Sequence, residues 1–166
     1  MDANYNLSGL TDRIKARLKD AQYSDADIQQ FINDAYFDIL GDTAYQFLEK
    51  KYRSSSQDGG QLLLPLDFQT VKHFTAKLKH SIHPVKYIPS DDFFNVTRHS
   101  GVKNYTYTIF GNELFYSLPD IEDVKDDDGE EMFYTLDLYY LAKPKMLVNP
   151  TDKPVIPYEY GEALLL

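Results

Sequence analysis

The chain has 166 residues, a net charge of −9 and no cysteine. This length suits one domain, or one β-rich domain that carries a small helical unit. The lack of cysteine excludes disulfides and cysteine-ligated metals, and no stretch approaches the roughly 20 apolar residues that span a bilayer. We therefore expect a soluble protein that is made in a cytoplasm and has no membrane partner.

The N-terminal part of the chain has the periodicity of helices. A short helix is expected to begin between Ser8 and Thr11, where apolar residues recur every four positions. A stronger helix is predicted in "SDADIQQFINDAYFDIL", because Ser24 and Asp27 resemble a capping box. The apolar face of this second helix is predicted to contain Ile28, Phe31, Ile32, Ala35, Ile39 and Leu40.

From residue 50 onward the pattern changes to the alternation that is typical of strands. The stretches "KKYRSSS" and "QLLLPL" flank the turn signal "QDGG" and are predicted to pair as a hairpin. A strand is predicted in "TVKHFTAKLKH", where either His73 or Phe74 lies on the apolar face. A short strand in "HPVKYIP" and one helical turn in "SDDFFNV", capped by Ser90, are expected to follow.

The clearest strand signal is "NYTYTIFGNELFYSLPD". Gly111 and Asn112 fit a two-residue turn that has glycine at its first central position. The register of such a turn places six large side chains on one face of a half-buried hairpin. The predicted pairs are Ile109 with Leu114, Tyr107 with Tyr116, and Tyr105 with Leu118.

The last strand is predicted in "MFYTLDLYYLAKP", where alternation places four large residues on one side: Tyr134, Leu136, Leu138 and Tyr140. Prolines make the next segment a loop. The stretch "PYEYGEALLL" is predicted to begin a helix, with proline in its first turn and the first residues of an apolar face at the three leucines. The predicted fold class is α+β. The chain is predicted to comprise an N-terminal helical unit (1–49), an antiparallel β-domain (50–150) and a C-terminal helix or extension (151–166).

No catalytic or cofactor motif is found in the sequence. It has no phosphate-binding glycine loop, no H-E-x-x-H and no G-x-S-x-G. His80 and His83 lie in an extended pattern that turns their rings to opposite faces. The run "DVKDDDGEE" resembles a calcium loop only in part, because Val124 and Thr135 would fall at ligand positions. We therefore predict a protein that is not an enzyme and needs no cofactor or metal.

Charge is distributed in three blocks. Residues 1–49 carry nine acids and four bases (−5), residues 50–103 four acids and nine bases (+5), and residues 104–166 thirteen acids and four bases (−9). Such blocks either complement a partner, such as another copy of the chain, or are differently charged solvated faces. Binding of nucleic acid to the basic block is disfavoured, because the acidic flanks would repel phosphate.

Taken in order, six stretches resemble the adaptor, or head-to-tail connector, family of tailed bacteriophages, especially short-tailed ones. The shared marks are an early helix with an apolar–Asn–acid/Ala–Tyr pattern, a Leu-Pro-x-x-Phe step, a Gly-Asn turn, and the strands and exit that follow. The stretches are "ADIQQFINDAYFDIL", which "YQFLEKK" follows, "LLLPLDFQTVKHF", "VKYIPSDDFF", "YTIFGNELFYSLPD", "LDLYYLAKPKML" and "IPYEYGEALLL". The acidic insert around residues 126–128 is longer than the family pattern.

The resemblance implies a structural virion protein without catalytic activity. Members of this family sit in about a dozen copies beneath the portal ring at the head–tail junction. They prolong the DNA channel, let DNA pass without binding it specifically, and receive the tail nozzle or tail tube. One alternative is a tail-tube or nozzle subunit, and an alternative of another class is a small β-rich carbohydrate-binding module with exposed tyrosines.

Two sets of contact residues are expected. A C-terminal anchor to the portal is expected at Tyr158, Tyr160, Leu164, Leu165 and Leu166. These residues could instead close the protein's own core against Ile28, Phe31 and Ile32. Charged contacts between neighbouring copies are expected at Lys72, Lys77, Lys79, Asp126, Asp127 and Asp128.

Overall fold

The computed structural model describes residues 5–18, 22–41, 46–56, 59–99, 103–121 and 132–158. Within these ranges the chain forms three α-helices, one short 3₁₀ turn and eight strands in two sheets, which confirms the predicted α+β class. Two compact units are present, one from Met1–Glu49 with Lys143–Leu166 and the other from Lys50–Ala142. The described helices lack the combination of length and apolar composition that a membrane-crossing helix requires.

The helical unit begins with α1 (Leu7–Leu18) and α2 (Asp25–Gly41). At the start of α1, the backbone N–H of Gly9 donates to Asn6 Oδ1 over 2.8 Å. At the start of α2, the N–H of Ser24 donates to Asp27 Oδ2 over 2.9 Å, and the N–H of Asp27 donates to Ser24 Oγ over 3.3 Å. This reciprocal pair confirms the predicted capping box, in which Asp replaces the usual Glu or Gln.

The buried face of α2 differs in part from the predicted one. Ile28, Ile32 and Leu40 are buried as expected, but the ring of Phe31 is 50% exposed and packs edge-on against Tyr23. Two polar residues take its place in the buried face, Asn33 and Tyr36. Both form hydrogen bonds with the segment after residue 142, and this satisfies their polar atoms in the interior.

The strands in chain order are β1 (Glu49–Ser55), β2 (Gln61–Leu63), β3 (Phe68–Leu78), β4 (Ser81–Pro84), β5 (Lys86–Tyr87), β6 (Thr106–Phe110), β7 (Glu113–Ser117) and β8 (Thr135–Ala142). Sheet A has the order β1-β8-β3-β4, and sheet B has the order β2-β7-β6-β5. The predicted hairpin between the first two strands is therefore wrong. Gly59 and Gly60 have φ of +83° and +88°, and β2 continues from them beside β7 in the other sheet.

The hairpin of β6 and β7 is confirmed. Ile109 lies opposite Leu114 and Tyr107 opposite Tyr116. The ladder ends at Thr106 and Ser117, one pair short of the third predicted pair, although Tyr105 and Leu118 still pack on the core. Gly111 has φ of +66°, as the first central position of this turn requires.

Two β-bulges decide which side of β3 is buried. The antiparallel register between β3 and β8 shifts between Phe68 and Thr70 and again between Val71 and His73. Each shift inserts one extra residue on β3, so that Phe68, Val71 and Phe74 face the core although they are three positions apart. The sequence left open which of His73 and Phe74 is apolar-facing, and the structure assigns Phe74 to the core.

The segment predicted as one strand in "HPVKYIP" is two short strands in different sheets. β4 pairs with β3 in sheet A, whereas β5 runs parallel to β6 in sheet B. The predicted single helical turn is the longer helix α3 (Ser90–His99). Asp91 and Asp92 occupy its first turn, where negative charge is favourable to the helix dipole.

The core of the β-unit contains inward-facing residues of both sheets, in the manner of a sandwich. As predicted, β8 and the residue before it supply four buried residues on one side, Tyr134, Leu136, Leu138 and Tyr140. Tyr140 Oη donates to Asp67 Oδ1 over 2.9 Å, which satisfies its hydroxyl. Burial and this neighbouring carboxylate raise the pKa of Tyr140 to about 12.

Candidate interaction surfaces

The segment that follows β8 is joined to the start of α1. The N–H of Leu7 donates to the carbonyl of Asp152 over 2.9 Å, and the N–H of Ser8 donates to the carbonyl of Pro150 over 3.0 Å. The first N–H groups of a helix have no partner within the helix, so these bonds satisfy donors that would otherwise need water. The local position of the chain up to Tyr158 is thus set by backbone pairing as well as by side chains.

Tyr158 is the one residue of the predicted portal anchor that lies in the described ranges. Its ring packs edge-on against Tyr5, with centroids 5.5 Å apart, and the Arg13 guanidinium carbon lies 5.9 Å from its centroid. The hydroxyl of Tyr5 donates to the carbonyl of Ile156 over 2.9 Å and fixes the approach of this segment. Tyr158 is 47% exposed, so about half of its surface is available for contact.

The remaining residues of the predicted anchor lie outside the described residues, namely Tyr160, Leu164, Leu165 and Leu166. The same holds for the acidic half of the predicted charge contact, Asp126, Asp127 and Asp128.

The three lysines of the predicted charge contact are all exposed. Lys72 lies at the second bulge of β3. Lys77 lies opposite Thr135 of β8, on the side of sheet A that faces away from the sandwich core. Lys79 lies in the turn between β3 and β4 with φ of +53°. The structure therefore distributes the three charges along one strand and its turn.

A charged cluster on the same side of sheet A was missed by the sequence interpretation. Arg53 binds Asp137 with both ends of its guanidinium group, Nε to Oδ1 at 2.7 Å and a terminal nitrogen to Oδ2 at 3.0 Å. Lys51 Nζ lies 2.9 Å from the same Oδ2. Hydrogen bonds from Arg53 and then Lys51 lower the pKa of Asp137 from its ordinary value of 3.8 to about 2. No sequence signal could identify the cluster once β1 was paired with the wrong strand.

An aromatic residue adjoins this cluster. Lys51 Nζ lies 5.0 Å from the ring centroid of Tyr139, within the range of a cation–π contact. The ring of His73 lies 6.1 Å from that of Tyr139 on the other side. The outward face of sheet A therefore places Lys51 and His73 on either side of Tyr139.

The described residues also form a shallow pocket on the helical unit. This surface pocket of about 370 Å³ is lined by residues of α1 and the residue before it, including Asn6, Asp12 and Arg13. No three His, Asp or Glu side chains in the described ranges lie close enough together to hold a metal ion.

Comparison with known proteins gives one family. The family model described as SU10 adaptor protein matches residues 5–166, which is nearly the whole chain. No curated protein matches the chain. The match agrees with the resemblance of the six stretches quoted above, and it extends across both compact units. The chain therefore belongs to the SU10 adaptor protein family, an adaptor protein family of phages.

Proposed function

We propose that this phage adaptor forms a ring of about twelve copies beneath the portal, lengthens the DNA channel and receives the tail nozzle. The observation that carries the proposal is the family match over residues 5–166. As a member of an adaptor family, the protein is a structural component of the virion that contacts other head and tail proteins. The proposal adds its position at the head–tail junction, after synthesis in the host cytoplasm, and a role without catalysis.

The charge of the chain suits a channel wall. A net charge of −9 disfavours retention of the DNA phosphate backbone, so DNA passes without specific binding. Within a ring each subunit contact is heterologous, and opposite charges on two sides of one subunit are satisfied around the circle. We assign the basic side to Lys72, Lys77 and Lys79, and the acidic side to Asp126, Asp127 and Asp128.

The anchor to the portal is proposed at the C-terminal segment 151–166. Tyr158 supports this assignment, because Tyr5 and Arg13 hold its ring while half of its surface stays exposed. An aromatic residue that is fixed before binding loses little conformational entropy on contact with a partner. Tyr160, Leu164, Leu165 and Leu166 would extend the contact into the portal.

Electron microscopy of the purified protein mixed with purified portal rings of its phage tests the proposed assembly. We expect a monomer or small oligomer alone at micromolar concentration, and a ring on each portal in the mixture. Closed rings of the isolated protein would contradict templated assembly. Binding to tail tubes but not to portals would indicate a tail-tube or nozzle subunit, and binding to glycans alone would indicate a carbohydrate-binding module.

Charge reversal tests the contact between copies. The triple change Lys72→Glu, Lys77→Glu and Lys79→Glu should prevent rings, and added salt should loosen wild-type rings because exposed pairs are screened over ~8–10 Å. A matched control reverses three exposed lysines that lie outside both proposed contacts, Lys86, Lys143 and Lys145, and changes the net charge equally. If both triple variants assemble alike, the basic strand is only a solvated face.

A further inference from the structure

The outward face of sheet A is a defined surface. Side chains that lie opposite each other in an antiparallel ladder share a face, which places Lys77 beside Thr135 and Ile82, and Asp137 beside Thr75. Lys51 and Arg53 of the edge strand reach the same face through Asp137. We name this surface the outer patch, and its members are Lys51, Arg53, Lys77, Ile82, Asp137 and Tyr139.

The outer patch is positively charged and partly apolar. It contains three cations and one carboxylate, and that carboxylate is already shared between Lys51 and Arg53. Ile82 is 63% exposed and Tyr139 is 38% exposed. Glu49, the first residue of β1, is exposed and lies on the same side of the strand as Lys51 and Arg53, so it adds one negative charge at the end of the edge strand. The chemistry therefore fits an acidic partner that carries an apolar group at its centre.

Such a surface exists on α2 of the same chain. Asp27, Phe31, Asp34 and Asp38 follow one another at spacings of four, three and four residues, which places them on one side of the helix. All four are exposed, and α2 contains no basic residue. Tyr23 packs edge-on against Phe31 and enlarges the apolar centre. We name these four residues the acidic stripe.

Both surfaces extend over more than about 10 Å. Seven residues of helix separate Asp27 from Asp34, a rise of about 10 Å, and Phe31 lies between them. Two strand spacings, about 10 Å, separate β1 from β3, and Lys77 lies about 13 Å further along β3 than His73, which is opposite Tyr139. Tyr139 on β8 lies between those strands. A helix that crosses the strands obliquely therefore places Asp27 near the cations of β1, Phe31 near Tyr139, and the later carboxylates of the stripe toward Lys77.

We propose that the acidic stripe of one copy docks on the outer patch of a neighbouring copy. The contact joins two different surfaces of the same chain, so its repetition generates a ring when the rotation closes. This inference rests on the proposed ring. It gives Lys77 the acidic stripe as its partner, and its other residues were not assigned to assembly by the sequence interpretation.

Cysteine pairing tests the contact directly, because the chain has no cysteine of its own. Phe31→Cys protein and Tyr139→Cys protein, mixed on portal rings under mild oxidation, should form a disulfide dimer. Each variant alone should remain monomeric on a denaturing gel. Phe31→Cys mixed with Phe110→Cys, an exposed aromatic position in sheet B, is the matched control and should also remain monomeric.

A charge exchange supplies the second test. Asp34→Lys and Lys77→Asp should each weaken association between copies about tenfold, since each replaces an attraction by a repulsion. The combination of both changes in one chain should recover most of the loss. Asp92→Lys and Lys86→Asp are exposed controls in the β-unit, outside the outer patch, and should have little effect.

The outcomes separate this inference from the proposed function. Rings that form on portals without the Phe31–Tyr139 disulfide, and without recovery in the exchanged pair, overturn the docking and leave the ring intact. A specific disulfide in the absence of rings supports the docking and overturns the portal-bound ring. The absence of both overturns both.

Discussion

The side-chain amide of Asn33 binds both backbone polar groups of Leu147. The N–H of Leu147 donates to Asn33 Oδ1 over 2.9 Å, and Asn33 Nδ2 donates to the carbonyl of Leu147 over 3.0 Å. The same Nδ2 also donates to the carbonyl of Gln29 over 3.0 Å. One turn further along the helix, Tyr36 Oη accepts the N–H of Val155 over 3.3 Å. The Asn and Tyr of "INDAY", which the sequence interpretation noted as a family mark, thus hold the returning segment on α2.

Replacement of Asn33 should destabilise the helical unit. Asn33→Ala leaves the buried N–H and carbonyl of Leu147 without partners, which should cost roughly 2–4 kcal/mol. Asn33→Asp keeps the acceptor and loses the donor, and should also destabilise. Urea unfolding followed by circular dichroism measures both. Gln30→Ala, which removes an exposed amide on the same helix, should change stability by less than about 0.5 kcal/mol. Equal effects of Asn33→Ala and Gln30→Ala would show that the hydrogen bonds between Asn33 and Leu147 do not contribute to stability.

The ion pairs of Asp137 should make stability depend on pH in the acid range. The folded pKa of Asp137 is about 2, below its ordinary value of 3.8, so its contribution is fully present above about pH 4. As the pH falls from about 4 to about 2, the unfolded chain binds a proton that the folded chain does not, and the contribution is lost. The shift corresponds to about 2 kcal/mol at neutral pH.

The measurement is the free energy of unfolding of wild-type protein and Asp137→Asn at several pH values. Their difference should shrink from about 2 kcal/mol at pH 7 toward zero near pH 2. Asp120→Asn removes an exposed ion pair with Lys103 and should cost less than about 1 kcal/mol at any pH. A constant difference for Asp137→Asn across this range would contradict the assigned pKa.

Gly111→Ala should weaken the β6–β7 hairpin by about 1 kcal/mol, because φ of +66° is unfavourable for a residue with a Cβ. The added methyl group meets no atom within 4 Å, so the cost is one of backbone conformation and not of packing. Gly41→Ala is the matched control, since its φ is not positive and its surroundings are equally open. It ends α2 and should be neutral or slightly stabilising. If thermal unfolding shows that Gly41→Ala destabilises the protein more than Gly111→Ala does, the turn conformation assigned to Gly111 is wrong.

Deletion of residues 158–166 should abolish binding to portal rings while the circular dichroism spectrum and the cooperative unfolding of the remaining protein persist. The reason is the exposure of Tyr158, whose outer half is available to a partner. Co-sedimentation with portal rings measures binding, and Tyr158→Ala isolates the aromatic residue. A strongly destabilised monomer after the deletion would show instead that the segment closes the core of its own subunit.

Local features of the structure could be predicted because they depend on residues a few positions apart. The capping box of Ser24 and Asp27, the turn at Gly111, and the inward side of β8 each follow from short-range spacing. The α+β class follows from the change between helical and alternating periods near residue 50. The contact surfaces could be predicted only as stretches of charge, because periodicity does not show which strands become neighbours.

Tertiary structure alone decided the features that join distant parts of the chain. β1 lies beside β8, about 80 residues further on, and only this neighbour brings Arg53 and Lys51 to Asp137. Phe31 faces outward because Asn33 and Tyr36 find polar partners in the segment that returns after residue 142. A buried polar group is stable only when its partner is present. Since those partners lie more than 100 residues away, the local pattern of α2 could not predict its buried face.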